Sequence, residues 1–501
     1  MELAVRLAAE SFHVYQRFSG RDRAAFLGKI AANRESDPER SKIVKTRYCL
    51  RLPRTLCLCC LALGLFATSP QSAAQEQKKK QPPTPGPMLS QGTVDFDIPE
   101  FTFTLVRSSQ TVAALKPKGA SNFDFTPGDL LIERSKDGYF HLGDITLRLR
   151  TGNSGGWKNY STAAARNPVT ALPTSRNVLA AADLTPALPS DLPLGITRTW
   201  ELESGKLVLR FTLKNKSTST VQIGALGIPM IFNNVLNERS LEDAHAKCSF
   251  YDPYIGEDAG YLQVTRLSGR GPVLLVVPEG KTPFEAYNPI LDRADRWGAS
   301  PVFIDPTPRG ITFEGFYEWM IHSQAYTGNE WKKAQPWNPP TSLTLAPSES
   351  KTYGLKFLLS ESIRNIEKTI ADAERPVAVG IPGYVLPTNL DGRLFLKYAK
   401  SVKSITVEPQ GAITISRDAS PAAGWQSYTL KAKTWGRARL SITYADGSVQ
   451  AISYFVIKPA AEAVSDMGHF LTTTQWFTDP SDPFHRNPSV MSYDRELNQI
   501  V

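Results

Sequence analysis

The feature that most restricts the fold of this chain is a strict alternation of aliphatic and polar side chains, sustained from about residue 94 to 359. Ile145, Leu147 and Leu149 alternate with Thr146, Arg148 and Arg150, and Leu207, Leu209, Phe211 and Leu213 are interleaved with Val208, Arg210, Thr212 and Lys214. A period of two sends successive side chains to opposite faces of a strand, whereas a helix repeats every ~3.6 residues. Glu203-Ser204-Gly205-Lys206 supplies a turn that pairs the second of these strands with 197–202 as a hairpin. Further strands are predicted at 101–106, 221–228, the wholly apolar 273–277, 342–345 and 352–359. About 265 residues of this kind exceed one small sandwich. The expectation is a mainly β fold, with a large, supersandwich-like antiparallel β-sandwich over 93–359.

After this stretch Ile363, Ile366, Ile370 and Ala373 fall on one helical face, while Arg364, Glu367, Lys368 and Asp372 point away. That predicts a short connecting helix over 360–375, ending before Pro376. Strand periodicity returns over 376–459, with Asp446-Gly447 as a tight hairpin turn, and about 84 residues suit a small immunoglobulin-like sandwich. Over 460–501 the pattern changes again. Residues 460–470 read as a helical start, and 475–492, rich in Trp, Asp, Pro, Asn and Ser, as an irregular functional loop. Residues 493–501 read as another amphipathic helical segment that stops without a cap. The expectation is the start of a helical domain truncated in this chain; a frayed terminal helix is the alternative.

Residues 55–68, TLCLCCLALGLFAT, form an apolar run preceded by Lys42, Lys45, Arg47, Arg51 and Arg54 and followed by Ser72-Ala73-Ala74. Charged, apolar and small-residue regions in that order predict a secretory signal peptide within a leader over 1–74. The run is shorter than the ~20 apolar residues that span a bilayer, and a signal anchor is the less favoured alternative. Positive charge on its N-terminal side leaves the body outside the cytoplasm in either case. The protein is therefore expected to be exported, periplasmic or extracellular, with membrane contact only through the leader. Residues 1–45 add a mixed-charge segment, consistent with a mis-called start or an extended leader. Residues 75–92, rich in Pro and Lys, follow as an extended linker.

The formal net charge is +9, but the first 74 residues hold 12 Lys and Arg against 6 Asp and Glu, which leaves the other 427 residues near +3. That balance gives no basis for nucleic-acid binding, which needs clustered cations. Cys49, Cys57, Cys59 and Cys60 lie in the leader, so Cys248 is the one cysteine beyond it. A disulfide framework within the exported chain is thereby excluded, and Cys248 reads as a small core hydrophobe. The histidines are scattered singly, without metal-ligand spacing, so no metal is expected. No motif calls for a cofactor.

The densest chemistry lies between residues 313 and 340. Trp319, His322, Tyr326, Glu330, Trp331 and Trp337 are candidate substrate-binding residues there, with Glu314, Glu318 and Glu330 as carboxylates. Aromatic faces pack on the C–H face of a sugar while carboxylates and amides bond its hydroxyls, so the expected partner is a polysaccharide or oligosaccharide. Glycoside hydrolysis uses two carboxylates at a set separation, which spacing along the chain does not fix; no catalytic pair is assigned.

The stretch Gly143-Asp144-Ile145-Thr146-Leu147-Arg148, the pairs Glu318-Trp319 and Glu330-Trp331-Lys332, the run Trp337-Asn338-Pro339-Pro340-Thr341, Asp482-Pro483-Phe484 and the segment from Pro488 through Tyr493-Asp494-Arg495-Glu496 resemble a secreted bacterial and fungal family of unknown function related to six-hairpin glycosidases. The likeness covers about residue 93 to the end. It implies a large sandwich and linker module followed by a helical (α/α) toroid that carries most catalytic carboxylates, of which only the β-rich N-terminal part is expected here. Asp494 and Glu496 are then edge-of-cleft residues. The resemblance implies an exported, glycoside-hydrolase-like, carbohydrate-active protein that binds glycan and shapes part of a cleft. A non-catalytic periplasmic or cell-surface β-sandwich that binds carbohydrate or protein is the alternative.

Overall fold

The computed structural model describes residues 86–152, 155–236, 239–290, 316–419, 424–494 and 499–500. The leader, most of the linker and Glu314 and Glu496 lie outside the described residues. The fold is mainly β, as the alternation requires. One antiparallel sheet of eight strands runs, in spatial order, Ser249–Tyr254, Tyr261–Arg266, Val273–Glu279, Ser350–Ser360, Lys206–Asn215, Leu194–Glu203, Val178–Asp183 and Thr170–Ala171. A six-stranded sheet runs Ala286–Ile290, Phe316–His322, Val221–Met230, Thr146–Thr151 and Lys158–Ser161, with Leu343–Leu345 also pairing to Val221–Met230. Thr93–Asp97, Phe101–Val106 and Val112–Pro117 make a third sheet.

These sheets share one core. Phe103, Leu147, Leu149, Trp200, Leu209, Phe211, Ile223, Ile228, Leu274, Trp319 and Phe357 meet there, nearly all without solvent contact. The hairpin of Leu194–Glu203 and Lys206–Asn215 turns through Ser204 and Gly205, both at positive φ, as a two-residue turn demands. The wholly apolar strand Val273–Glu279 has a different logic. Its Leu274 and Val276 enter the main core, while Val273, Leu275 and Val277 face the helix Ile366–Asp372 and Val377 on the reverse side. A strand buried on both faces loses its polar alternation.

Beyond that helix, two four-stranded sheets pack together. One is Val377–Ile381, Asp391–Lys397, Gln426–Ala432 and Ile413–Arg417; the other is Val385–Pro387, Val449–Ile457, Gly436–Tyr444 and Val402–Glu408. Leu394, Leu430, Leu440, Ile442, Tyr444 and Val456 fill the space between them. Ala460–Thr473 forms a helix, followed by the short antiparallel pair Trp476–Phe477 and Ser489–Val490. The segment from Tyr493 departs from the expected helix, because Tyr493–Asp494 pairs with Gln499–Ile500. Nine residues are too few for local propensity to hold a helix, and a strand pair satisfies the backbone instead.

A buried ionic cluster closes one end of the main core. Both guanidinium termini of Arg166 reach the two oxygens of Asp144 at 2.8 Å, with side chains 2% and 1% exposed. Asp144 also accepts from the Thr162 hydroxyl at 2.8 Å and the His141 amide at 2.7 Å. Burial alone would raise its pKa, but Arg166 and these donors hold the carboxyl below its usual range. Asp144→Ala should strand the Arg166 cation and destabilise the fold by about 3–5 kcal/mol, read as a lower urea midpoint with an unchanged slope.

Candidate functional site

Three adjacent strands of the six-stranded sheet carry leucines and aromatics toward the core and polar groups toward the other face. Thr146 and Arg148 come from Thr146–Thr151, Gly227 from Val221–Met230 and Glu318 from Phe316–His322. Thr146, Arg148 and Glu318, with Asn159, Ser161, Tyr160, Phe140 and Tyr326, line a pocket of about 320 Å³. Gly227 makes room for its central acid: a Cβ there would lie 2.6 Å from both the Glu318 carboxylate and the Thr146 hydroxyl.

Glu318 is buried, and the Asn288 amide donates to its Oε2 at 3.3 Å. Burial raises its pKa, against the lowering influence of Asn288, Thr146 and Arg148. A carboxyl so placed keeps its proton to higher pH than a free one, and in its protonated form it can donate as well as accept a hydrogen bond. Arg148 lies over the Tyr326 ring, 3.7 Å from its centroid, and its Nη1 bonds both oxygens of Glu330, at 2.7 and 2.8 Å. Tyr326 stacks in turn on Trp331, with centroids 4.8 Å apart, and Trp331 meets Trp337 edge-on at 6.2 Å.

This arrangement corrects several sequence expectations. Trp319 has no solvent exposure; it stacks on Phe284 at 3.9 Å and donates from Nε1 to the Pro283 carbonyl, so it packs the core. His322 is buried between the Thr341 and Tyr353 hydroxyls, each 2.7 Å from a ring nitrogen. Desolvation, aided by Lys351, lowers its pKa to about 4, and the ring ties two segments together rather than facing a pocket. Trp331 is buried with Met320 and Ala325, and its faces are occupied by protein. Glu330 is exposed and engaged by Arg148. Tyr326 and half-buried Trp337 retain access, each lining a pocket. Asp494 lies in the short terminal strand pair, opposite Gln499. Arg148, Thr146, Asn159, Ser161 and Asn288 were absent from the sequence candidates. The one hint of two of them was the polar face of the 146–150 alternation.

A second group of acids lies beside Asn338, whose amide donates to the carbonyls of Ile255, Phe284 and Glu285. Glu285, raised in pKa by burial, accepts from the Ser323 and Thr341 hydroxyls and from the Thr341 amide at 2.9 Å. Glu257, at positive φ and bridged to both Phe284 and Gln450, has its carboxyl pushed up to about 8 by burial, then by Glu285 and Asp258.

An antiparallel two-sheet sandwich with a polar pocket on the outer face of one sheet, backed by a second small sandwich, is the class of protein defined here. The chain belongs to a family of unknown function, DUF5695, whose model matches residues 104–501. Among curated proteins there is no match. The fold is similar to that of a polysaccharide lyase, with a TM-score of 0.58 and 15% identity over 81% of this chain and 53% of that one. The match thus spans about half of that lyase's length. Galactose mutarotase-like proteins are also similar. The one from Lactobacillus casei has a TM-score of 0.33 and 13% identity, over 54% of this chain and 100% of that one. The one from Clostridium acetobutylicum has 0.33 and 10%, over 54% and 95%.

The Glu257 geometry carries a pH signature. Its carboxyl is held well above the ordinary carboxylate range, so the native state binds the extra proton and stability falls as pH rises between about 4.5 and 8. Glu257→Gln should melt close to wild type at pH 4.5 and progressively higher than wild type up to pH 8, with the difference level above that. Thermal melts across the range check it.

Proposed function

We propose that this chain is an exported carbohydrate-active protein and that its Glu318 pocket receives one saccharide residue. The observation that carries the reading is the pocket itself: a buried carboxyl on its floor, with Asn159, Ser161, Arg148 and Tyr326 on its walls. Dense hydrogen-bonding groups around a small cavity match the hydroxyl pattern of a sugar ring. The likeness in fold to a polysaccharide lyase lends support at the level of architecture. The finer reading, kinship with six-hairpin glycosidases and glycoside-hydrolase-type chemistry, rests on the sequence resemblance.

Binding is favoured over hydrolysis by this chain's own groups. Glu318 is the one carboxylate lining the pocket among the described residues, and its neighbour Glu330 is tied to Arg148. Two free carboxyls flanking a bond are what glycoside hydrolysis requires. In the proposed role the protonated Glu318 donates to a sugar oxygen while Asn288 fixes the carboxyl's orientation.

Calorimetric titration with a monosaccharide panel tests this. Binding should weaken as pH rises and Glu318 ionises; Glu318→Gln should retain affinity and lose the pH dependence; Glu318→Ala should weaken binding by about tenfold. An unaltered affinity in Glu318→Ala would refute the assignment. Export rests on the leader's charge and apolar pattern, and N-terminal sequencing of protein recovered outside the cytoplasm should begin near Gln75. Deleting residues 55–68 should leave the protein inside.

A further inference from the structure

We propose a second saccharide-binding surface, specific for an acidic polysaccharide, on the outer face of the sheet formed by Gly436–Tyr444 and Val449–Ile457. It stands apart from the Glu318 pocket and rests only on the general reading of this chain as glycan-binding. On this face Val385, Phe455 and Arg437 lie side by side in register across three strands. Phe455 and Val385 are 45% and 55% exposed, and Trp435, 58% exposed, meets Phe455 edge-on at 6.3 Å. Exposed aromatic and aliphatic groups grouped this way mark a contact surface rather than scattered surface residues.

The adjoining cavity, about 460 Å³, is lined by Pro336, Trp337, Pro339, Glu408, Arg437 and Arg439. Its arginines are positioned by protein. Arg437 donates to the carbonyls of Gln335 at 3.3 Å and Trp337 at 3.2 Å, and Arg439 donates to the Trp337 carbonyl at 3.3 Å while pairing with Glu408. Arg437 has no carboxylate partner among the described residues. Two of its five N–H groups are engaged, and the rest of a rigid, planar fork remains for a carboxylate. A cation without a counter-ion beside exposed rings matches a polymer that carries a carboxylate on each apolar-faced sugar: a polyuronate. A neutral glucan would leave Arg437 unanswered.

The test uses the whole chain, with polygalacturonate and a neutral soluble glucan in calorimetry at physiological ionic strength. Polygalacturonate should bind through Trp435 and Arg437, and any binding of the glucan at the Glu318 pocket should be insensitive to both residues. Trp435→Ala and Arg437→Gln should each weaken polyuronate binding about tenfold, while Trp435→Phe restores it. Trp435 is exposed, so its variant should melt as wild type does. Neutral-glucan binding that falls as much as polyuronate binding in Trp435→Ala and Arg437→Gln, or unchanged polyuronate binding in both variants, would overturn the proposal. Should monosaccharides fail to bind while polyuronate binding still depends on Trp435 and Arg437, the Glu318 reading falls and this one stands.

Discussion

The pleat of a single strand governs the chemistry of this molecule. Along Phe316–His322 successive side chains alternate faces, so Tyr317, Trp319 and Ile321 pack toward the main core while Glu318 and Met320 emerge on the other side of the sheet. Residues adjacent in sequence are therefore separated by the thickness of a sheet. The core gains large apolar bodies, and the opposite face gains an acid whose backbone is held by strands on both sides.

That geometry explains what was legible beforehand. Alternation at 145–150 and 207–214 identified strands and their faces, and the hairpin turns at Ser204-Gly205 and Asp446-Gly447 fell where the residue types required. The aromatic and acidic cluster at 313–340 was visible as composition, but its division into core and surface was not. Trp319 and Glu318 carry the same sequence signal and opposite fates. Arg148 and Glu330 are 182 residues apart, and Asn288 reaches Glu318 from another strand; no local pattern encodes such pairs. The apolar spacing at the C-terminus read as helical, but over so short a segment it does not separate helix from strand, and Tyr493–Asp494 pairs with Gln499–Ile500 instead.

The excursion between Gln324 and Thr341 is held from several sides. Asn338 fastens it to the main sandwich, Arg437 and Arg439 fasten its backbone to the smaller one, and the Arg148, Tyr326, Trp331 and Trp337 side chains stack along it. Stacking consumes ring faces that would otherwise meet solvent. An aromatic-rich segment can thus be mainly structural and still deliver two of its rings, Tyr326 and Trp337, to separate cavities.

The absence of a side chain at Gly227 leaves room for two groups that line the first cavity, the Glu318 carboxylate and the Thr146 hydroxyl. One methyl group there would lie 2.6 Å from a carboxylate oxygen of Glu318 and from the Thr146 hydroxyl, so these side chains would have to shift. Alanine at this position would displace the Glu318 and Thr146 side chains and so reshape the cavity wall while every polar group around it kept its chemical identity. Shape and acidity, normally inseparable at a buried carboxylate, can here be varied one at a time.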